Sequence, residues 1–180
     1  MTTPLADTDQ QKKILWAPWR MEYIENCDKP EGCVFCDLPK EDNDKKNLIV
    51  FRGNTSFVIM NRYPYNNGHL MVVPYRHTCD LSSVTDEEKI EIFNLLTLSK
   101  QVLSNVMNPH GFNVGMNLGR VSGAGIDDHL HFHIVPRWNG DTNFMPILGH
   151  AKVVSEGLEE TWVKLNQAFA EIMAQFLKNE

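Results

Sequence analysis

Three histidines at alternate positions, His129, His131 and His133, are the side chains in this sequence best placed to do chemistry. The residues between and after them are apolar, and alternate side chains of a β-strand lie on opposite faces. The pattern predicts a strand over Leu130–Val135 with an apolar face towards a core and three imidazoles on the other face. Imidazole can act as a nucleophile, a proton carrier or a metal ligand near neutral pH.

The neighbouring residues favour catalysis by the central histidine, His131. A glycine-rich loop, Gly119–Gly125, precedes the strand, and free backbone amides in such a loop can form a nest for an anion. Arg137 follows the strand and supplies a cation. An imidazole beside a phosphate nest is placed to attack phosphorus and form a phosphohistidine adduct. A neighbouring histidine and backbone carbonyls would then fix its tautomer.

Two other uses of the histidines remain open. The first is a zinc hydrolase in which His129, His131 and His133 hold a metal-bound water. The second is a module that binds nucleotides or partners with negligible turnover. Metal content and product formation distinguish these hypotheses from covalent catalysis.

A second motif, Cys33-Val-Phe-Cys36, has the spacing of a zinc knuckle. Two thiolates need two further ligands to complete a tetrahedral site, and two inert buried thiols are the alternative. The chain has no signal peptide or apolar span in its sequence, so we expect a cytoplasmic, reducing setting and no membrane partner. The net charge of −6 argues against a nucleic-acid partner, which would require a basic face.

The surrounding pattern predicts an α+β domain with an antiparallel sheet. Strands are predicted at Ser56–Asn61, His69–Pro74 and Phe112–Leu118. Residues 37–47 are rich in charge and turn formers, which predicts an exposed loop. Thr85-Asp-Glu-Glu88 is a capping-box signature that opens a helix to about Asn108.

The stretches Gly111–Gly119 and His129–Arg137 resemble the histidine triad (HIT) family of nucleotide hydrolases and transferases. Asn61–Pro74 is similar to the ribose-binding hairpin of that family. Segments Trp16–Tyr23 and Pro136–Phe144 further resemble a bacterial subgroup similar to diadenosine tetraphosphate phosphorylases. The resemblance implies a half-barrel of antiparallel strands crossed by a long helix, followed by a C-terminal helix, and a homodimer.

The resemblance also implies roles for single residues. His131 would be the nucleophile, assisted by His133, which contacts the phosphate or leaving group, and by His129. Asn61 would bind the ribose and Asn117 a phosphate. The resemblance to zinc-bearing relatives implies a structural zinc site formed by the ligands Cys33, Cys36, His77 and His129.

One position departs from the family pattern, because Gly125 stands where many members carry Gln, Ser or Thr. Backbone amides of the Gly119–Gly125 loop, which includes the predicted nucleotide-binding residues Gly123 and Gly125, would replace that side chain. The expected substrate is a dinucleoside polyphosphate or a related nucleotide conjugate, cleaved with inorganic phosphate or water as acceptor. The space beside Gly125 favours phosphate.

These assignments divide the chain into four parts. We expect a flexible tail over residues 1–15 and a segment with the cysteine pair over 16–47. The catalytic domain would cover 48–145, and a helical extension would cover 146–180, with its helix from about Leu158 to Leu177.

Overall fold

The computed structural model describes residues 32–141 and 156–176. The predicted tail and the Trp16–Tyr23 segment lie outside the described residues. The helices are α1 (Val34–Asp37), α2 (Asp44–Asn47), α3 (Asp86–Met107) and α4 (Leu158–Phe176). The strands are β1 (Ile49–Arg52), β2 (Ser56–Met60), β3 (Leu70–Pro74), β4 (Gly111–Gly115) and β5 (Phe132–Arg137).

The five strands form one open sheet in the order β1-β2-β3-β5-β4, and each neighbouring pair is antiparallel. Helix α3 contacts β2, β3 and β5, and α4 packs against α3 and β1. The predicted α+β fold with its long helix and C-terminal helix is confirmed. The core consists of apolar side chains from both layers, with Phe57, Leu70, Ile134, Ile92, Leu103 and Phe169 almost fully buried.

Helix α3 begins where the capping-box signature predicts. The Thr85 hydroxyl accepts a hydrogen bond from the Glu88 amide, and the Glu88 carboxylate accepts one from the Thr85 amide. These two bonds satisfy amides that a helix leaves unpaired at its first turn. The helix ends before Asn108, whose left-handed conformation (φ 45°) turns the chain towards β4.

Several predicted strand boundaries and one predicted loop are wrong. β4 ends at Gly115 rather than Leu118, and β5 begins at Phe132, so His129 and His131 precede it. The Leu130 amide donates to the Thr78 carbonyl (2.7 Å), which lies beyond the end of β3. The chain therefore contacts a loop there instead of a strand. The segment 37–47 folds into a 3₁₀ turn and α2, because the buried Asn47 side chain donates to the Leu38 carbonyl and ties the segment together.

None of the helices within the described ranges is long and apolar enough to cross a membrane.

Candidate active site and metal centre

The triad segment brings two of its histidines to one pocket and the third to a different cluster. His131 and His133 line the pocket, and their rings lie nearly perpendicular with centroids 4.8 Å apart. His129 is not part of that lining. Its Nε2 lies 2.9 Å from the Pro74 carbonyl oxygen, and its Nδ1 faces Cys33 and Cys36.

His131 is held by a hydrogen bond to the backbone. Its Nδ1 lies 2.9 Å from the carbonyl oxygen of His129. A carbonyl only accepts, so Nδ1 carries the proton and Nε2 keeps its lone pair in the neutral ring. Burial lowers the pKa of His131, and the bond to the His129 carbonyl opposes that shift less strongly. The ring is therefore neutral at pH 7, with Nε2 as a nucleophilic atom.

His133 belongs to a chain of hydrogen bonds that starts at the backbone of Tyr65. The Tyr65 amide donates to Nδ1 of His69 (3.1 Å), which makes that nitrogen an acceptor. Nε2 of His69 therefore carries the proton and donates to Nδ1 of His133 (2.9 Å). In its neutral form, the His133 ring then carries its own proton on Nε2. The pocket thus presents one imidazole as a lone-pair donor and the next as a proton donor.

The pocket has an apolar wall and a polar end. The wall consists of side chains from α1, β2 and β3 and the loops beside them, including Phe35, Leu48, Ile59, Met60, Tyr65 and Met71. An apolar cleft with a few polar groups is typical of sites for flat, partly apolar ligands such as nucleosides. The polar end carries His131 and His133.

Four further residues that the sequence singled out line this pocket: Asn61, Asn117, Gly123 and Gly125. Asn61 is fixed by two contacts. Its Oδ1 accepts from the Tyr63 amide (2.9 Å), and its Nδ2 lies 3.3 Å from Nδ1 of His69. The chain therefore brings together every residue predicted for the nucleotide site except His129.

The glycine-rich loop and Arg137 differ from the expectation of a phosphate nest with an adjacent cation. The amides of Ser122 and Gly123 donate within a 3₁₀ turn, so these two amides are not available to a phosphate nest. Arg137 is bound by Asp141, whose Oδ1 accepts from Nη2 (2.9 Å), and by the Asn113 side chain (2.8 Å). Arg137 holds the pKa of Asp141 well below its usual range. Its charge is therefore balanced within this ion pair.

Cys33, Cys36, His77 and His129 form a second cluster in which one ligand atom from each residue lies within 4.8 Å of the others. Sγ of Cys33 lies 3.2 Å from Nδ1 of His129. Sγ of Cys36 lies 3.4 Å from Nδ1 of His77 and 3.6 Å from Nδ1 of His129. Cys33 precedes α1, and its carbonyl accepts from the Cys36 and Asp37 amides, so the short helix turns both thiols to one side.

This arrangement fits a tetrahedral zinc ion. Zn–S and Zn–N bonds of about 2.3 and 2.0 Å imply S···N separations of roughly 3.5 Å, and the three S···N distances in this cluster bracket that value. Two thiols and two imidazoles are a donor set that zinc prefers. Burial raises the pKa of Cys36 to about 11, with the neighbouring Cys33 thiol adding to the effect. Such thiols need a cation to hold them as thiolates.

Two site residues were not predicted as such. His69 is 1% exposed, and its ring is hydrogen-bonded to the predicted site residue His133. Phe35, between the two cysteines, lines the pocket and contacts the rings of His129 and His131. A histidine opening an otherwise apolar strand is a usable signal for the first. No sequence signal identifies the second.

Known proteins share both the sequence and the fold. An AP-4-A phosphorylase of Mycobacterium tuberculosis is 42% identical over 159 residues, covering 84% of this chain and 81% of that protein. An adenosine 5'-monophosphoramidase of Schizosaccharomyces pombe is 32% identical over 108 residues, covering 60% of this chain and 76% of that protein. A Zn-bound histidine triad family protein from Mycobacterium smegmatis superposes with a TM-score of 0.65 at 23% identity, covering 80% and 97% of the two chains.

Residues 42–140 match the family model of the HIT domain. That range includes all five strands, the hairpin from Asn61 to Leu70 and the whole histidine segment. Together with the sequence identity to the mycobacterial protein, this match shows that the chain belongs to the HIT family.

Proposed function

We propose that this HIT-family enzyme cleaves dinucleoside polyphosphates such as diadenosine tetraphosphate through a nucleotidyl group on His131, with inorganic phosphate as the preferred acceptor. The observation that carries the proposal is the bond from Nδ1 of His131 to the His129 carbonyl, which leaves the Nε2 lone pair for attack. The names of the mycobacterial phosphorylase and the fission yeast phosphoramidase support the same class of substrate.

In the first step, Nε2 of His131 attacks the α-phosphorus of the substrate. A phosphorus–nitrogen bond forms, and the bond from that phosphorus to the bridging oxygen breaks, which releases ATP from diadenosine tetraphosphate. His133 contacts the phosphate or leaving group, where its Nε2–H can stabilise developing negative charge. The base lies against the apolar wall, Asn61 binds the ribose, and Asn117 contacts a phosphate.

In the second step, an oxygen of inorganic phosphate attacks the phosphorus and the phosphorus–nitrogen bond breaks. The products are ADP and regenerated neutral His131. Gly125 has no side chain to occupy the space for the second anion, and Gly123 and Gly125 both line the pocket. This local geometry supports phosphate over water as acceptor.

The proposed role of zinc is structural. When bound, it would link the cysteine turn before β1 to His77 after β3 and to His129. Four protein ligands close the tetrahedron and leave no position for a reacting water. Cys33 and Cys36 are free thiols, which fits a reducing cytoplasmic setting.

The alternative of a metallohydrolase using all three triad histidines has less support. Nδ1 of His129 faces the thiols and its Nε2 faces the Pro74 carbonyl, while Nδ1 of His133 faces His69. The three imidazoles therefore do not converge on one point.

A homodimer is part of the proposal. Strand β4 lies at an edge of the sheet, and Val114 on it is 56% exposed. An edge strand offers backbone donors and acceptors to a second copy. Light scattering coupled to size-exclusion chromatography should give twice the mass of the chain.

Isotope-labelled inorganic phosphate tests the acceptor. Incubation of the protein with diadenosine tetraphosphate and labelled phosphate should give ATP and labelled ADP. Products of ATP and AMP at a rate independent of phosphate would establish water as the acceptor. The covalent adduct is tested separately. Its phosphorus–nitrogen bond is acid-labile, so the adduct should be trapped at alkaline pH and located at His131 by mass spectrometry.

A further inference from the structure

The cysteine turn is part of both the candidate metal centre and the nucleotide pocket. Helix α1 carries Cys36 towards His77 and His129. The same turn places Val34, Phe35 and Leu38 along the pocket wall. One short segment of four helical residues therefore serves two sites.

Phe35 is the side chain that lies between the two sites. It is 3% exposed, and its ring centroid lies 5.6 Å from that of His129 and 5.1 Å from that of His131. The ring is nearly perpendicular to His129 and tilted by 50° to His131. A displacement of α1 would therefore move an aromatic ring that touches both a candidate metal ligand and the candidate nucleophile.

Few local interactions stabilise the cysteine turn. A helix of four residues is far too short to be stable alone, and Cys33 makes no side-chain capping bond to it. Its position depends on the burial of Phe35 and on the attachment of its two thiols to His77 and His129. Zinc would supply that attachment, and a nucleotide would supply apolar contact to the other side of the turn.

We infer that zinc and nucleotide binding are thermodynamically linked through Phe35, so that each ligand tightens the binding of the other. This inference rests on the proposed nucleotide and zinc sites. Linkage requires the two factors to be equal, since both describe the same closed cycle. A structural zinc ion without such linkage would change the stability of the protein and leave its nucleotide affinity unaltered.

The test measures AMP and zinc binding, each in the presence and absence of the other. Calorimetry gives the Kd of AMP for the zinc-loaded protein and for protein stripped by a chelator. Competition with a chromophoric chelator gives the zinc affinity of the loaded protein with and without AMP. We expect both Kd values to change by the same factor of about ten.

Substitution of the linking ring sharpens the test. Phe35→Leu should reduce the linkage factor to within about twofold, because the shorter side chain no longer spans His129 and His131. Phe93→Leu is the matched control, since Phe93 is 69% exposed on α3. The control should retain the wild-type factor.

The outcomes separate the inference from the proposed function. Zinc binding with equal AMP affinities in both forms overturns the linkage and leaves the proposed sites standing. Failure of the purified chain to bind zinc overturns the zinc assignment and the linkage together, while AMP binding still reports on the pocket. If the stripped protein unfolds, its AMP affinity cannot be measured, and the chelator competition on the zinc-loaded protein tests the linkage instead. A zinc affinity that does not change with AMP then overturns the inference.

Discussion

His129 and His133 lie at the two ends of one short segment, yet they belong to different parts of the molecule. His129 precedes β5, and its ring faces the thiols of Cys33 and Cys36. His133 is within β5, and its ring faces His69 on the adjacent hairpin. Both residues are histidines of the same alternating pattern, so the difference in their surroundings arises from the residues that their rings contact. His131 lies between them, held by the backbone of one and beside the ring of the other.

The largest expected effect is the loss of catalytic rate when His131, between the two ends of the segment, is substituted. His131→Ala should lower kcat by at least about a thousandfold, or roughly 4 kcal/mol, because no nucleophile remains. Affinity for AMP should change little. Steady-state kinetics and calorimetry measure these quantities, and His110→Ala, an exposed histidine that accepts from the Asn139 amide, is the control. A rate within about tenfold of wild type would refute covalent catalysis by His131.

The candidate metal centre, at the His129 end of the segment, can be disrupted separately. Cys33→Ser should remove the zinc, from about one ion per chain to almost none, because a neutral hydroxyl is a poor zinc ligand. The melting temperature should fall by about 10 °C, because a structural metal contributes to folding. Elemental analysis and calorimetric melting measure both effects. Cys79→Ser, at an exposed free thiol, should change neither. Retention of zinc by the Cys33 variant would exclude the proposed ligand set.

Substitutions beside His133, at the pocket end of the segment, should lower the catalytic rate more than the stability of the protein. His69→Leu removes the donor to Nδ1 of His133 and should lower kcat by about 10- to 100-fold, as is typical when an orienting partner is lost. His69→Gln, whose amide can donate to the same atom, should restore part of that rate. The ¹⁵N chemical shifts of His133 report its tautomer in both variants. Identical rates and shifts in the two variants would mean that His69 has only a packing role.

The smallest effect concerns the loop that carries His77. The neighbouring Arg76 donates through Nε and Nη2 to the buried Glu88 carboxylate (2.9 and 2.7 Å), and this bond is the main cause that lowers the pKa of Glu88 to about 2. The folded pKa is below the ordinary value of 4.5, so the stabilisation is complete above pH 4.5. It is lost as the pH falls towards 2.

Glu88→Gln keeps the capping amide partner but loses the ion pair. We expect a loss of about 1–2 kcal/mol in the free energy of unfolding at pH 7, reduced by the partial exposure of Arg76. The difference from wild type should shrink between pH 4.5 and 2. Denaturant titrations at several pH values measure it, with Glu87→Gln as an exposed control in the same helical turn. A constant difference across that range would contradict the ion-pair explanation.

Local patterns in the sequence were sufficient to predict much of the fold. The capping box placed the start of α3, and runs of β-forming residues identified β2 and β3. The Cys-x-x-Cys spacing and the alternate histidines also indicated residues of the candidate metal centre and the candidate active site. Their side chains meet where the resemblance to zinc-bearing relatives implies, although zinc binding itself stays a prediction.

The errors arose where long-range contacts override a local pattern. Strict alternation predicted one strand through all three histidines, but the Leu130 amide pairs with Thr78, far away in sequence. The link between His69 and His133 likewise depends on the register of β3 and β5. The Arg137–Asp141 ion pair was different, because its partners are four residues apart and local charge spacing could have indicated it.

The same long-range contacts determine when the protein becomes chemically competent during synthesis. His69 and His133 are 64 residues apart, and Cys33 and His129 are 96 residues apart. Contacts at such separations form late, since closing a long loop costs entropy before any contact is gained. A nascent chain emerging from the ribosome would therefore hold its cysteines and the first hairpin well before β5 exists. We expect neither an oriented nucleophile nor a complete metal site until the histidine segment has been translated and the sheet has closed around it.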